Sequence, residues 1–283
     1  MKIAVLSDIH GNIQALEAVT DHAERWQPDL IMVAGDIVNR GPRSSDCIDF
    51  IIEKQKQDDW KIIRGNHEDY VIKKGNPDDQ QTDQQAALFQ PAHHIYQQLK
   101  QNVSKISGLP EAININSGGF GTVRMVHASM QHNRDGIYPE TKDEKLEKQI
   151  DPAPDVFITG HTHRPLVRRL NKTLVVNAGS VGLPFDKDQR TGYAQITFRQ
   201  KCWEAKIVRL AYDIEQAKRD FFETGYMNGA GPQAKIVLLE LDLALSQLWH
   251  WSNRYSKLIL QKKISVSDSI KAFLKDPITE TYW

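Results

Sequence analysis

Three short apolar runs near the start of the chain each end at a polar turn, and this repetition constrains the fold more than any other feature. The runs are Ile3 to Leu6, Leu30 to Ala34 and Trp60 to Ile63. Apolar residues at helical spacing follow the first two runs, so each is typical of a strand, turn and helix unit. Such units predict a parallel sheet with helices on its faces, in which ligands gather at the carboxyl ends of the strands.

The middle of the chain has a different pattern. Residues Gly75 to Asn102 are rich in Gln, and we expect helix on either side of Pro91 because its ring breaks the backbone hydrogen-bond ladder. Seven short β-rich segments follow: Ala112 to Asn116, Thr122 to His127, Val156 to Thr159, Leu166 to Leu170, Leu174 to Val176, Tyr193 to Phe198 and Trp203 to Leu210. We assign all seven to a second, largely antiparallel sheet, packed face to face on the first with helices outside.

The C-terminal part is predicted to be helical. Ala234 to Ile264 carries two apolar stripes at helical spacing, which predicts one long helix that is covered on two sides. It either packs against the body and the rim of the site or forms a homo-oligomer interface. Gly225 to Pro232 has the composition of a linker. We therefore divide the chain into a catalytic domain, residues 1–212, and a C-terminal helical extension, residues 213–283.

Composition excludes several classes of function. Lys plus Arg and Asp plus Glu balance at 36 each, so no overall basic field is present to bind an extended nucleic acid or an anionic membrane. No apolar run approaches the length of a membrane span or a signal peptide. The two cysteines, Cys47 and Cys202, fit a reducing compartment better than a disulfide framework. We expect a cytoplasmic protein.

The residues that end the predicted strands are typical metal ligands. In chain order they are Asp8, His10, Asp36, Asn66, His67, His127, His161 and His163. Carboxylate, imidazole and amide groups suit Mn, Fe, Zn or Co, and the lack of cysteine argues against a structural zinc site. The ligands are too many for one tetrahedral ion. Two ions that share a carboxylate would use them, and a pair about 3.5 to 4 Å apart supports displacement at phosphorus.

Five blocks of sequence, taken together, resemble the calcineurin-like metallophosphoesterase superfamily, in the family's order. The blocks are Asp8-Ile9-His10, Gly35-Asp36, Gly65-Asn66-His67-Glu68, His127 and Gly160-His161-Thr162-His163. A further stretch, Val176 to Pro184, is similar to one in the bacterial and archaeal phosphodiesterase branch. The resemblance covers residues 1 to about 210. It implies an α/β (α+β) fold, a four-layer αββα sandwich of two mixed sheets flanked by helices.

The resemblance also implies a chemistry. One divalent ion would be held by Asp8, His10, Asp36 and His163, and the other by Asp36, Asn66, His127 and His161, with Asp36 bridging them. Manganese is our first choice of metal, with Fe, Zn, Ni or Co as alternatives. A hydroxide that bridges the two metals would attack the phosphorus of a phosphate ester or nucleotide.

Two further residues are candidates for catalysis. His67 follows the ligand Asn66 and is our candidate for the acid that protonates the leaving oxygen. Arg40, in Asn39-Arg40-Gly41, resembles the phosphate-binding arginine of the protein serine/threonine phosphatases, but Asn39 replaces the aspartate that would pair with the catalytic histidine. Glu68 could accept a hydrogen bond from a ligand imidazole or could act as a helix N-terminal charge.

Three readings of the function remain open. The leading one is a dimetal phosphoesterase acting on phosphodiesters or phosphomonoesters. The second is a hydrolase of dinucleoside polyphosphates, of the Ap4A type, or a protein phosphatase, suggested by Asn39 to Pro42. The third is a non-catalytic, metal-stabilised scaffold that binds a protein partner, against which the retention of His67 and of every ligand argues.

Overall fold

Two five-stranded sheets form the centre of the computed structural model, which describes residues 1–74, 82–99, 103–116 and 118–280. The strands are β1 (Lys2–Leu6), β2 (Leu30–Val33), β3 (Lys61–Ile62), β4 (Ala112–Asn116), β5 (Thr122–Val126), β6 (Val156–Thr159), β7 (Leu166–Leu170), β8 (Thr173–Asn177), β9 (Thr191–Arg199) and β10 (Cys202–Leu210). The first sheet has the order β10-β9-β1-β2-β3, and the second has the order β4-β5-β6-β8-β7.

The predicted composition of the second sheet was wrong in two respects. Strands β9 and β10 belong to the first sheet, where β9 pairs antiparallel with β1 and places Ile196 opposite Ile3. Alternating apolar residues predict a strand but do not specify its partner, and here Ala194 and Ile196 enter the core between the sheets. The second sheet is also less antiparallel than expected, because β6 runs parallel to both β5 and β8.

Both faces of the first sheet are covered, which explains the unbroken apolar runs in its strands. In β1, Ile3 and Val5 face the second sheet, whereas Ala4 and Leu6 face a cluster formed with the helices. On the outer face of the second sheet, side chains of β5, β6 and β8 pack with the helix at residues 143–150. The layers are helix, sheet, sheet and helix, and the predicted fold class is confirmed.

The helices are α1 (Ile13–Arg25), α2 (Ser44–Asp58), α3 (Asn66–Lys74), α4 (Asp83–Gln98), α5 (Val103–Ser107), α6 (Asp143–Ile150), α7 (Ile214–Glu223), α8 (Tyr226–Gly229), α9 (Ala234–Leu243), α10 (Leu248–Leu260) and α11 (Val266–Phe273). Among the residues that the structure describes, no helix combines the length and the apolar character that crossing a membrane requires.

Helix α4 runs through Pro91, so the predicted break at this residue was wrong. Proline at this position leaves the carbonyl oxygen of Ala87 without its helical N–H donor. The buried side chain of Gln233 replaces that donor, at 2.8 Å from the Ala87 oxygen. Two parts of the Gln-rich segment, residues 75–81 and 100–102, lie outside the described residues.

The C-terminal part is made of several short helices. The predicted long helix is divided into α9 and α10, with Ala244 in the left-handed conformation (φ +49°) between them. The expected linker contains α8, whose Tyr226 is fully buried. Residues of α7, α8 and α9 share a hydrophobic cluster with α1 and α2, and α9 to α11 enclose a second cluster. The division of the chain at residue 212 stays a prediction.

Candidate metal centre

The polar side chains predicted from the strand ends meet at one edge of the two sheets. Asp8 and His10 follow β1, Asp36 follows β2, His127 follows β5, and His161 and His163 follow β6. Asn66 and His67 follow β3 and begin α3. The carboxyl ends of β1 to β3 and of β5 and β6 bring these loops together.

Asp8, His10, Asp36 and His163 form the first group of candidate ligands. The Nε2 atoms of His10 and His163 are 3.0 Å apart, and Oδ1 of Asp8 is 3.3 Å from His163 Nε2. Oδ2 of Asp36 is 3.7 Å from His10 Nε2. One ligand atom from each residue lies within 4.8 Å of the others, and all four residues are buried. These are the separations expected of atoms that share one cation at about 2.0 to 2.2 Å.

Asp36 also belongs to a second group, with His127 and His161. Oδ2 of Asp36 lies 3.3 Å from His127 Nε2, and the amide oxygen of Asn66 lies 3.0 Å from the same nitrogen. The rings of His127 and His161 are 5.2 Å apart. Asp36 therefore lies between the two groups and belongs to both.

Hydrogen bonds to neighbouring groups fix which atoms face the centre. His127 donates from Nδ1 to the Ala34 carbonyl oxygen at 2.7 Å, so Nε2 is the ring nitrogen that faces the centre. Oδ2 of Asp8 accepts from the Ser7 hydroxyl at 2.6 Å and from the His161 N–H at 2.9 Å. Oδ1 of Asp8 is buried and has no hydrogen-bond partner among the described residues. A buried acceptor without a donor is costly, and a cation at this position would satisfy it.

The electrostatics of the centre are dominated by the Asp36 carboxylate. Burial opposes its ionisation, but the imidazoles of His127, His67 and His10 hold the pKa of Asp36 well below its usual range. Burial and His127 lower the pKa of His161 to about 4, and burial and His163 lower that of His10 strongly. Burial is outweighed at His127, whose pKa rises to about 10 beside Asp36. The ionised Asp36 carboxylate and the neutral imidazoles of His10 and His161 suit a divalent ion, and a cation bound beside Asp36 would displace the proton of His127.

Five of the seven candidate ligands have the left-handed backbone conformation that non-glycine residues rarely adopt. They are Asp8 (φ +52°), His10 (φ +49°), Asp36 (φ +53°), His161 (φ +68°) and His163 (φ +56°). Such conformations cost about 1 to 3 kcal/mol each and cluster at functional sites. Gly35, which precedes Asp36, has φ +88°, and a Cβ atom there would lie 2.5 Å from the Gly65 nitrogen.

The buried carboxylate of Glu68 supports the loop that carries Asp36. Its carboxylate accepts hydrogen bonds from the backbone N–H groups of Asp36, Ile37, Val38 and Gly65, at 2.7 to 3.0 Å. Burial and the charge of Asp36 raise the pKa of Glu68 to about 7, and the N–H donors oppose this rise. Glu68 therefore orients backbone amides, a role that the sequence analysis did not include.

Val176 to Pro184, the stretch singled out in the sequence, supports the ligand loops from the other side. Asn177 donates from Nδ2 to the Gly160 carbonyl oxygen at 2.7 Å and to the Thr162 hydroxyl at 2.9 Å. The hydroxyl of Ser180 donates to the Asp8 carbonyl oxygen at 2.7 Å. This stretch therefore braces the loops that carry Asp8, His161 and His163.

His67 and Arg40 lie beside the candidate metal centre. They line a pocket of about 100 Å³ together with Asp36, Tyr138, His161, Thr162, His163, Phe185, Ser246 and Trp249. The side chain of Asn39 donates from Nδ2 to His67 Nδ1 at 2.8 Å, while its Oδ1 accepts from the Arg40 N–H at 2.9 Å. Because Nδ1 of His67 accepts this bond, the ring carries its proton on Nε2. Burial and the charge of Arg40 lower the pKa of His67 to about 3, against the effect of Asp36.

Several residues of this pocket were not predicted individually. Tyr138 and Phe185 come from loops without a recognisable motif, Ser246 comes from the turn between α9 and α10, and Trp249 comes from α10. The expectation that these helices pack over the rim of the site agrees with the positions of Ser246 and Trp249. Their apolar spacing was the signal for contact with the body, but it did not indicate which residues would reach the site.

Relatives and solved structures agree with this architecture. The chain is 27% identical over 232 residues to an uncharacterized protein of Methanocaldococcus jannaschii, an alignment that covers 76% of this chain and 89% of that one. A shorter match, 32% identical over 92 residues, covers 31% of this chain and 33% of a symmetrical bis(5'-nucleosyl)-tetraphosphatase of Psychromonas ingrahamii.

Two crystal structures share the fold. A metallophosphoesterase of Sphaerobacter thermophilus has a TM-score of 0.66 at 24% identity, over 87% of this chain and 100% of that one. A hypothetical protein of Pyrococcus horikoshii has a TM-score of 0.70 at 20% identity, over 83% and 97%. The family model of the calcineurin-like phosphoesterase superfamily domain matches residues 1–201. With these residues matched and the Asp and His side chains gathered at the strand ends, the chain belongs to the calcineurin-like phosphoesterase superfamily and is a hydrolase of phosphoric ester bonds.

Proposed function

We propose that the chain binds two divalent cations and uses them to hydrolyse phosphodiester or phosphomonoester bonds. Asp8, His10, Asp36 and His163 would hold one ion, and Asp36, Asn66, His127 and His161 would hold the other. The observation that carries the proposal is the position of Asp36, whose Oδ2 lies within 3.7 Å of His10 Nε2 and within 3.3 Å of His127 Nε2. A single carboxylate oxygen that lies between histidine nitrogens of both groups suits two bound cations better than one.

The donor set fits such ions. Imidazole, carboxylate and amide oxygen without thiolate favour Mn, with Fe, Zn, Ni and Co as alternatives. The partnerless Oδ1 of Asp8 and the two facing Nε2 atoms of His10 and His163 support a cation between them. When bound, the cations would acidify water to give the nucleophile and would neutralise charge on the phosphoryl oxygens.

His67 would supply the proton for the leaving oxygen. Its Nδ1 accepts from Asn39, so the proton on Nε2 is the one available for transfer. As water adds to phosphorus and the ester bond breaks, this proton would pass to the leaving oxygen. Donation from the neutral ring would leave an imidazolate, so His67 would first have to take up a second proton, and position 39 has no carboxylate to stabilise that imidazolium. We therefore expect leaving groups of low pKa to react fastest.

Arg40 would bind the phosphoryl oxygens. Among the described residues that line the pocket, it is the only Lys or Arg. A phosphodiester carries one negative charge and a phosphomonoester dianion carries two, so a single arginine beside the centre favours diesters.

A substrate panel tests the proposal. Chelated protein reloaded with Mn²⁺ should hydrolyse bis(p-nitrophenyl) phosphate faster than p-nitrophenyl phosphate, and excess EDTA should abolish both activities. Asp36→Ala should lose both activities because the residue serves both ion sites. Full activity in EDTA, or in the Asp36→Ala variant, would overturn the proposal.

The second candidate is hydrolysis of dinucleoside polyphosphates. The short match to the symmetrical tetraphosphatase of Psychromonas ingrahamii favours it, as do the aromatic side chains of Tyr138 and Trp249 at the pocket, since such rings stack on nucleobases. Trp249 is 53% exposed. Product analysis of Ap4A separates the candidates: release of ADP alone would favour symmetrical cleavage, whereas turnover of diesters without turnover of Ap4A would exclude it.

A further inference from the structure

Glu240 is a buried carboxylate outside the region that the family model matches. It lies on α9, and its side chain has no exposed surface. Oε1 accepts hydrogen bonds from the backbone N–H groups of Gln247 and Leu248, both at 2.8 Å, at the start of α10. Oε2 faces the other way and pairs with Nη1 of Arg40 at 3.1 Å. Glu240 therefore joins the turn between two C-terminal helices to the arginine at the candidate site.

The ion pair between Glu240 and Arg40 is largely shielded from solvent. The Arg40 side chain is 14% exposed, and its guanidinium lies 5.8 Å from the centre of the Phe185 ring. Nε of Arg40 is buried without a hydrogen-bond partner among the described residues. A charge pair in such surroundings is screened weakly by solvent, so removing one partner leaves the other poorly solvated.

The backbone that carries Arg40 has an unfavourable conformation, so side-chain contacts help to hold it in place. Asn39 and Arg40 are both left-handed, at φ +70° and φ +65°. The far end of the same loop is held in a similar way: Arg43 donates from Nε and Nη2 to the buried carboxylate of Asp220 on α7, at 3.0 and 2.9 Å. Two buried carboxylates of the C-terminal helices thus hold the loop that presents Arg40 to the pocket.

We propose that Glu240 is a positioning residue that fixes the Arg40 guanidinium for phosphate binding, so that the helices after residue 201 form part of the active site. This inference rests on the proposed function, since it assigns Arg40 to the phosphoryl oxygens. Because Nη1 is paired with Glu240, rotation of the guanidinium would break a buried ion pair, so the contact favours one orientation of the group. Preorganisation of this kind lowers the cost of binding the anion.

Glu240→Gln tests the positioning role with little change in shape. The glutamine oxygen can still accept from Gln247 and Leu248, whereas its NH₂ group would face the N–H groups of Arg40. Asp242→Asn is the matched control. Asp242 is an exposed residue of the same helix, and its carboxylate pairs with Lys218 at 2.7 Å instead of with Arg40. We expect Glu240→Gln to raise KM by roughly 10-fold or more with a smaller change in kcat. The reason is that Arg40 would bind the phosphate in both the ground state and the transition state, so its loss weakens both to a similar extent. Asp242→Asn should leave both constants unchanged.

A double-mutant cycle separates positioning from folding. In the Arg40→Ala background, Glu240→Gln should change kcat/KM by less than about 2-fold, since the group through which Glu240 acts is gone. An equal loss in both backgrounds would show that Glu240 only caps α10 and would overturn the inference.

A readout without catalysis keeps this test independent of the proposed function. The buried Nε–H of Arg40 should give an arginine side-chain NMR signal, identified by its loss in Arg40→Ala. The signal should shift or broaden in Glu240→Gln and stay in place in Asp242→Asn. An unchanged signal in Glu240→Gln would overturn the positioning role even if the enzyme is active. A shifted signal in a protein that hydrolyses no phosphate ester would support the positioning role and contradict the proposed function.

Discussion

Replacing Glu68 by alanine should destabilise the fold more than any exposed substitution, because four backbone N–H groups share this one carboxylate. They belong to Asp36, Ile37, Val38 and Gly65, and all four lie in the buried loops that carry the candidate ligands. A buried donor left without an acceptor costs about 1 to 3 kcal/mol. Four of them give an upper range of about 4 to 12 kcal/mol, and water entering the space of the lost side chain recovers part of it. We expect a loss of about 4 kcal/mol from a total stability of about 5 to 15 kcal/mol.

Urea unfolding in excess EDTA measures this loss without a contribution from metal binding. The assay belongs at pH 8, above the pKa of about 7 that burial and Asp36 give Glu68. Glu68→Gln keeps one acceptor oxygen and should cost about 2 kcal/mol. Glu17→Ala, on the exposed face of α1, should stay within about 0.5 kcal/mol of the wild type. A loss below about 1 kcal/mol for Glu68→Ala, with an unchanged slope, would refute the account of this carboxylate as the support of the Asp36 loop.

Three further predictions concern catalysis and the C-terminal helices. His67→Ala should retain metal but lower turnover by roughly 10²- to 10⁴-fold for poor leaving groups, with a smaller deficit for aryl leaving groups of low pKa; equal deficits across a graded aryl series would mean that His67 only positions phosphate. Asn39→Asp should increase turnover of poor leaving groups relative to good ones, because a carboxylate at Nδ1 stabilises the imidazolium of His67, and an unchanged ratio would contradict the contact seen here. Truncation after Gly229 should yield an insoluble or strongly destabilised protein, since it removes Val237 and Leu241 from a cluster shared with α1; a truncated chain with the wild-type melting temperature would contradict that packing.

The strand ends could be predicted from the sequence because they depend on local pattern. Apolar runs that stop at Gly35 or Gly160 identify both the strand and the candidate ligand that follows it in the sequence. Parallel strands of one sheet place such residues at one edge, so the convergence of Asp8, Asp36 and Asn66 follows from topology alone, whereas His161 reaches them because the second sheet packs on the first. Their assignment to two ions was drawn from the family resemblance and stays a prediction.

What the sequence did not reveal depends on contacts between distant residues. Glu240 meets Arg40 across 200 positions of the chain, and no local pattern marks either as the partner of the other. Pro91 was expected to break its helix, and the side chain that prevents this, Gln233, lies more than a hundred residues away. Strand β9 was assigned to the wrong sheet because alternation defines its two faces but not its neighbour.

The most direct test of the account is a Mn²⁺ titration of chelated protein in which bound metal and turnover of bis(p-nitrophenyl) phosphate are followed together. We expect two ions per chain, with turnover appearing as the second ion binds, and loss of this pattern in Asp36→Ala. Activity that is complete with one ion, or that persists without metal, would contradict the claim that Asp36 joins two cations into one catalytic centre.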